Sequence, residues 1–365
     1  MTTTTLSSRI DIRPSRNAVA VDQRAKLLED PGFGRVFIDH MVTVRYTEGR
    51  GWHEATLAER APITLHPAAA VLHYAQEIFE GLKAYPQANG GVTLFRPWEN
   101  ARRFQNSAVR MAMPPVPEDL FIDCVKALAD IDKGWIPPVD GGSLYLRPFM
   151  FANEAFLGVK PASEYLFITI ACAAANYFRK DAKAVTVWIS EAFSRAGPGG
   201  TGAAKCGGNY AASLLPQAEA LKQGCDQVVF LDAAQHRYVE EMGGMNLFFV
   251  FDDGALATPP LTGSILPGIT RDCVMTLARE RGLTVREELY AMDDWRADAK
   301  SGRLKEVFAC GTAAVIAPVG KVKERGGEFA IGDGNPGPVA SSLRESLVGI
   351  QRGTLPDPHG WVERV

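Results

Sequence analysis

The chain has 365 residues, 46% of them hydrophobic and 22% charged, which is enough to bury two cores of ordinary size. A formal net charge of −3 gives no electrostatic footprint for nucleic acid or for an anionic membrane, so small molecules or another subunit are the expected partners. The cysteines Cys124, Cys172, Cys206, Cys225, Cys273 and Cys310 form no CxxC pair and have no His at ligand spacing; this argues against a structural metal and for small core residues in a reducing compartment. The N-terminal segment MTTTTLSSRIDIRPS lacks the apolar core of a secretory signal, and its arginines are too sparse for an import signal. It reads as a disordered tail over 1–16. MVTVRY (41–46), GVTLF (91–95), SLYLRPFMFA (143–152) and EYLFITIACA (164–173) carry the β-branched and aromatic content of strands. HPAAAVLHYAQEIFE (66–80), ENARRFQNSAVRMAM (99–113) and EDLFIDCVKALADID (118–132) space apolar residues by three and four and predict helices. This order does not repeat as βαβ, so an α+β fold with a largely antiparallel sheet is expected.

The longest apolar run, Tyr165 to Ala175, falls short of the roughly 20 residues that span a bilayer, so no membrane segment is expected and the cytoplasm is the expected compartment. Beyond it the apolar pattern breaks into NYFRKDA, and a fresh strand, AVTVWIS, begins. The chain is therefore expected to divide into a smaller domain over 1–175, a linker over 176–185 and a larger domain over 186–365. The second half then reads as a Gly-rich loop, a helix from Cys206, strand QVVFLD (227–232), an acidic turn EEMGGMN (240–246), strand LFFVF (247–251) and helix TRDCVMTLARERG (270–282).

Lys205 stands in GGTGAAKCGGNYA, where Ala203, Ala204, Gly207 and Gly208 leave room beside its amine. Amine chemistry needs a lysine whose environment favours the neutral form and admits an aldehyde. A lysine in a Gly-rich stretch is ordinarily a solvated loop residue. Gly197 to Gly202 also has GxxxxG spacing, but Ala203 and Ala204 intervene before the lysine and no Ser or Thr follows it, which argues against a phosphate-binding P-loop.

With Lys205 stand GFGRVFIDHM (32–41), HYAQEIFEGLKAY (73–85), LFRPWENARRF (94–104), YLRPFMFANEAFLGV (145–159), KCGGNY, EEMGGMN, LPGITRDC (266–273) and CGTAAVIAP (310–318). Through these motifs, in this order, the chain resembles the branched-chain-amino-acid aminotransferases, fold-type-IV enzymes that use pyridoxal 5′-phosphate. The resemblance implies a larger domain built on a pseudo-barrel sheet with helices. It implies that Lys205 holds the cofactor as a Schiff base and then moves a proton as base and acid. Glu241 is implied as the carboxylate on the ring nitrogen, Tyr210 as the phenol on the ring oxygen, and Arg103, Ile269, Thr270 and Thr312 as the phosphate contacts. Ala313 and Ala314 are implied to receive the substrate carboxylate on their amides. Phe33, Tyr74, Phe79 and Tyr177 are implied as an apolar wall, and Tyr145 and Arg147 as the group that meets a second carboxylate. Val159 is implied to come from the partner in a homodimer.

The implied reaction moves an amino group between leucine, isoleucine or valine and 2-oxoglutarate, through pyridoxamine phosphate in two half-reactions. Alternatives inside the fold are a D-amino-acid aminotransferase or an aminodeoxychorismate lyase, which lack the long N-terminal region and the YLRP and GFGRVF motifs. An inactive paralogue would not be expected to keep Lys205, Glu241, Tyr210 and Arg103. Ala314 and Ala317 stand where some members carry a redox-sensing CxxC, so no thiol switch is expected there.

Overall fold

The structure, a computed structural model, describes residues 10–87, 90–175 and 184–365. Its contacts divide the chain into two compact units: Met1–Tyr177 with Ala204–Gly207 and Ile350–Val365, and Phe178–Ala203 with Gly208–Gly349. Most of the expected linker, residues 176–183, lies outside the described residues. The four residues around Lys205 and the C-terminal segment belong with the first unit, a return that no change of composition marks in the sequence.

The first unit runs β1 (Asp11–Ile12), α1 (Val21–Leu27), β2 (His40–Thr47), β3 (Gly51–Glu59), α2 (Ala70–Tyr74), β4 (Glu77–Phe79), β5 (Leu82–Pro86), β6 (Val92–Phe95), α3 (Pro97–Arg110), α4 (Glu118–Ile131), β7 (Ser143–Ala152) and β8 (Glu164–Ala174). Its sheet has the order β1-β3-β2-β8-β7-β5-β6, closed at the far edge by the C-terminal strand Val362–Arg364, with β4 also on β7. The pairing of β1 with β3 is parallel and the other pairings are antiparallel. Strands β7 and β8 are buried along most of their length, which is why they read as near-continuous apolar runs. Helices α3 and α4 contribute Phe104 and Phe121, which meet Phe167 of β8 with ring centroids 5.4 to 5.9 Å apart.

Two expectations are corrected here. The helix expected over 66–80 is only Ala70–Tyr74: Ala75 turns into the left-handed region at φ 49°, and Glu77–Phe79 pairs with Phe149–Phe151 of β7. The cross-strand partners of Ile78 overrode the helical spacing of its neighbours. The disordered tail expected to residue 16 is held from Ile10 onward. Ile10 is buried, Asp11 and Ile12 pair with β3, and the Ser15 N–H donates to His40 Nε2 at 2.8 Å.

The second unit runs β9 (Val185–Ser190), α5 (Gly207–Ala211), α6 (Leu214–Lys222), β10 (Gln227–Leu231), β11 (Val239–Met242), β12 (Met245–Phe251), β13 (Ala255–Thr258), α7 (Ile269–Glu280), β14 (Thr284–Glu287), α8 (Met292–Ser301), β15 (Leu304–Gly311), β16 (Val315–Glu324), β17 (Gly327–Ala330) and α9 (Pro338–Gln351). The strands follow the order β11-β10-β9-β16-β15-β12, and pairing of β12 with β11 closes them into a six-stranded barrel. β12 gives one edge to β15 and divides the other between β11 and β13. Val187, Ile189, Val229, Leu247, Phe249, Val307 and Ala317 fill its core. The acidic turn expected at EEMGGMN is instead a strand through Met242, buried throughout, and the chain reverses only at Gly243 with φ 58°. No helix among the described residues is long and apolar enough to cross a membrane. All six cysteines are buried.

Candidate active site

Helix α3 begins at Pro97, whose missing N–H costs nothing at a helix start. One of its stripes, Ala101, Phe104 and Ala108, enters the core. The stripe beside it, Asn100, Arg103 and Ser107 at three- and four-residue spacing, is equally buried and wholly polar. Buried polar groups must find partners. Arg103 Nε donates to Glu80 Oε1 at 2.7 Å and Nη2 donates to Oε2 at 2.9 Å. Asn100 Nδ2 donates to Glu80 Oε2 at 2.7 Å, and the Gly81 N–H donates to the same oxygen at 3.1 Å. Ser107 Oγ accepts the Lys205 N–H at 2.9 Å.

The Lys205 carbonyl accepts the Phe79 N–H at 2.9 Å, and the Gly207 N–H donates to the Glu77 carboxylate. The lysine main chain is thus fixed by α3 on one side and by β4 and its flank on the other. Its Nζ lies 4.9 Å from the Phe79 ring centroid, and Arg147 Cζ lies 4.7 Å from the same centroid. Arg147 Nη2 donates to the Tyr145 hydroxyl at 3.2 Å, and Phe33 meets the Tyr145 ring edge-on at 4.8 Å. Gly81 is required beside them, because a Cβ there would run into the Tyr145 hydroxyl. Lys205, Arg103, Phe79, Arg147, Tyr145 and Phe33 therefore share one neighbourhood. Tyr74 is 37% exposed and donates to the Leu157 carbonyl, and Val159 is 89% exposed; these contacts do not join them to that neighbourhood. Tyr177 lies outside the described residues.

Burial pushes the Glu80 carboxyl up, but the charge and hydrogen bonds of Arg103, the charge of Lys205 and the Asn100 hydrogen bond outweigh it, holding Glu80 below the usual carboxylate range. A depressed folded-state pKa contributes stability that is present above the unfolded value and is lost as pH falls through the folded one. Urea unfolding of the apoprotein is therefore expected to show a shallower loss of stability from about pH 5 to about pH 3 in Glu80→Gln than in the wild type. Burial raises the Glu77 carboxyl, against the Gly207 hydrogen bond and the charge of Arg147.

In the second unit, Glu241 of β11 is 1% exposed, ion-pairs with Arg195 and accepts from Asn246 Nδ2 at 3.3 Å. Arg195, itself buried, also donates to the carbonyls of Gly202 at 3.3 Å and Ser264 at 2.6 Å. Asn246 Nδ2 further donates to the Leu266 carbonyl at 3.1 Å, and its side chain packs where a Cβ on Gly268 would sit. Asn246 therefore ties Glu241 to the turn that opens α7. Ile269 and the buried Thr270 lie in the first turn of that twelve-residue helix, where unsatisfied amides and the helix dipole favour an anion. Neighbouring Glu240 accepts from the Ser264 hydroxyl, and burial raises its carboxyl against that bond and the charge of Arg195.

Thr312, Ala313 and Ala314 form the turn from β15 to β16, which leaves through Val315 at φ 64°. A β-branched residue in the left-handed region is strained, which is the kind of backbone that accumulates at ligand sites. Tyr210 lies in α5 with its ring against Gly244; a Cβ on that glycine would sit 3.1 Å from a ring carbon. Of the predicted residues, Lys205, Arg103, Phe79, Arg147, Tyr145 and Phe33 lie together in the first unit, and in the second Asn246 ties Glu241 to the turn before Ile269 and Thr270.

Sequence reasoning missed Glu77, Glu80, Asn100, Ser107, Arg195 and Asn246. The one available signal was the polar stripe Asn100, Arg103 and Ser107 running beside an apolar stripe on the same helix.

The profile of the family described as amino-transferase class IV matches residues 77–322. A branched-chain-amino-acid aminotransferase of Mycolicibacterium smegmatis is 54% identical over 356 residues, covering 96% of each chain. A branched-chain-amino-acid transaminase of Bacillus subtilis is 44% identical over 335 residues, covering 92% of this chain and 94% of the relative. Among solved structures, the Escherichia coli branched-chain amino acid aminotransferase is similar with a TM-score of 0.72 at 31% identity, over 88% of this chain and 98% of the other. The branched-chain amino acid aminotransferase of Thermobaculum terrenum, solved in its PLP-form, has a TM-score of 0.69 at 26% identity, over 89% and 98%.

Proposed function

The chain belongs to the class IV aminotransferase family and within it to the branched-chain-amino-acid aminotransferases, and from that premise we propose that it is a pyridoxal 5′-phosphate enzyme that moves the amino group between leucine, isoleucine or valine and 2-oxoglutarate. The observation that carries the reading is Lys205, its main chain fixed on both sides and its amine over the Phe79 ring, with the buried Arg103 one helical turn before the serine that holds the Lys205 N–H. The donor set fits the cofactor: an amine for its aldehyde, a guanidinium and helix-start amides for its phosphate, and a buried carboxylate for its ring nitrogen.

When bound, the cofactor supplies an aldehyde on which amines condense and a ring that takes up the electron pair left at the substrate Cα. Lys205 would hold the cofactor through its amine, and that amine, once free, would take up and return the proton at the substrate Cα. For the phosphate, Arg103 in the first unit and the amides of Ile269 and Thr270 with the Thr312 hydroxyl in the second are the donors that would serve. Tyr210 would donate to the ring oxygen, and Glu241, ion-paired to Arg195, would be the carboxylate that favours a protonated ring nitrogen. The amides of Ala313 and Ala314 receive the substrate α-carboxylate. Phe33 and Phe79 would line the space for the substrate side chain, with Tyr145 and Arg147 at hand for a second carboxylate. Because the Arg147 guanidinium lies over the rings of Phe79 and Tyr145, an apolar chain meets aromatic faces there while the carboxylate of 2-oxoglutarate meets a cation.

The test is the absorption spectrum of the holoenzyme as L-leucine is added and 2-oxoglutarate withheld. The visible cofactor band is expected to disappear and the near-ultraviolet band of pyridoxamine phosphate to grow. A protein without the visible band, or one that responds only to D-amino acids, would sink the reading.

We further propose a cytoplasmic homodimer in which Val159 enters the site of the second copy. What supports it is the exposure of Leu72, Leu157 and Val159, three apolar side chains, with Tyr74 of α2 tied to the Leu157 carbonyl, and six buried thiols suited to a reducing compartment. Val159→Asp is expected to shift the sedimentation coefficient from dimer towards monomer and to raise KM for leucine; an unchanged dimer with unchanged KM would remove Val159 from the interface.

A further inference from the structure

We propose that Glu80 is a positioning residue for phosphate binding, fixing the guanidinium plane of Arg103 and so giving the site its preference for a phosphorylated cofactor. The inference rests on the cofactor reading above.

Glu80 is completely buried, and its own N–H is anchored to the Pro148 carbonyl at 2.7 Å. Its two oxygens receive four donors, two of them from the Nε–Nη2 edge of Arg103. Side-on bidentate pairing fixes the plane as well as the position of a guanidinium, which a single contact does not. A buried ion pair is weak grounds for a stability role, since apolar residues of similar volume commonly serve a core as well or better. Here the pair occupies the face of α3 that also holds the Lys205 main chain through Ser107. The carboxylate lies close enough to Lys205 to feel its charge. A phosphate contact made by Arg103 then depends on the orientation that Glu80 imposes.

The experiment compares binding of pyridoxal phosphate with binding of pyridoxal, which lacks the phosphate, to cofactor-stripped full-length protein, by quenching of tryptophan fluorescence. In Glu80→Gln the affinity ratio between the two is expected to fall by about tenfold or more, the scale of one lost charged hydrogen bond. Glu80→Asp, which keeps the charge on a shorter stem, is expected to recover part of that ratio. Asn100→Ala, which loosens Glu80 without removing it, is expected to lower the ratio by about threefold and decides the matter if Glu80→Gln does not fold. Equal losses for both compounds, or a ratio unchanged or increased, would overturn the proposal in favour of a purely structural pair. A wild-type protein that takes up neither compound overturns the cofactor reading itself, and the proposal with it.

Discussion

Lys205→Ala is expected to lower the overall transamination rate by roughly four orders of magnitude and to abolish the visible cofactor band. The size follows from the two tasks assigned to one amine. On the proposed reading the side chain holds the cofactor at rest and then carries the Cα proton, and it is the amine that lies over the Phe79 ring. Arg147 shares the Phe79 ring with Lys205, but a guanidinium stays protonated and makes a poor base. The substitution is also a clean one. The contacts that fix residue 205 are main-chain bonds to Ser107 Oγ and the Phe79 N–H, and both survive in alanine. Thermal unfolding of the apoprotein is therefore expected to change little while kcat collapses. Steady-state kinetics with leucine and 2-oxoglutarate, read beside a melting curve, checks this. A variant that keeps its rate would remove Lys205 from the chemistry, and one that loses its fold would show that the loop depends on the aliphatic stem.

The elements legible from sequence were those whose burial is written into neighbouring residues. SLYLRPFMFA and EYLFITIACA are strands because both of their faces are covered, and α3 and α4 follow from their apolar spacing. The misread segments were decided by distant partners. Ile78 became a strand residue because β7 offered its backbone a ladder. Glu240 and Glu241, which look like a solvated acidic turn, are buried because Ser264, Arg195 and Asn246 meet them. Lys205 stood out by its small neighbours, and Arg103 and Glu241 by their motifs. The groups that hold these residues were invisible: Glu80 is 23 residues from Arg103 and Ser107 is 98 from Lys205, so neither pair has a local signature. Motif residues announce chemistry, whereas their supports are chosen by the fold.

Glu241→Gln separates charge from shape at the ring nitrogen. Glutamine keeps the volume and can still accept from Asn246 or Arg195, so the second unit is expected to fold, but it no longer offers an anion to a protonated ring. Loss of one preorganised electrostatic partner of developing charge typically lowers kcat by roughly 10² to 10³, and a fall of that size is expected for the leucine half-reaction measured by stopped flow. Glu241→Ala should add a folding defect of about 3 kcal/mol, the low end for breaking a buried pair, because Arg195 keeps the carbonyls of Gly202 and Ser264 as acceptors. Urea unfolding of the two variants side by side measures that difference. Glu240→Gln is the internal comparison: Glu240 is also a buried glutamate on this strand, yet its carboxyl is engaged by Ser264 and its assigned role in catalysis is none. A rate loss in Glu240→Gln that matches Glu241→Gln would mean that the general charge of this strand matters and that the aim of one carboxylate does not. A loss confined to Glu241 ties the electron-accepting ring to the single side chain that Arg195 and Asn246 hold in place.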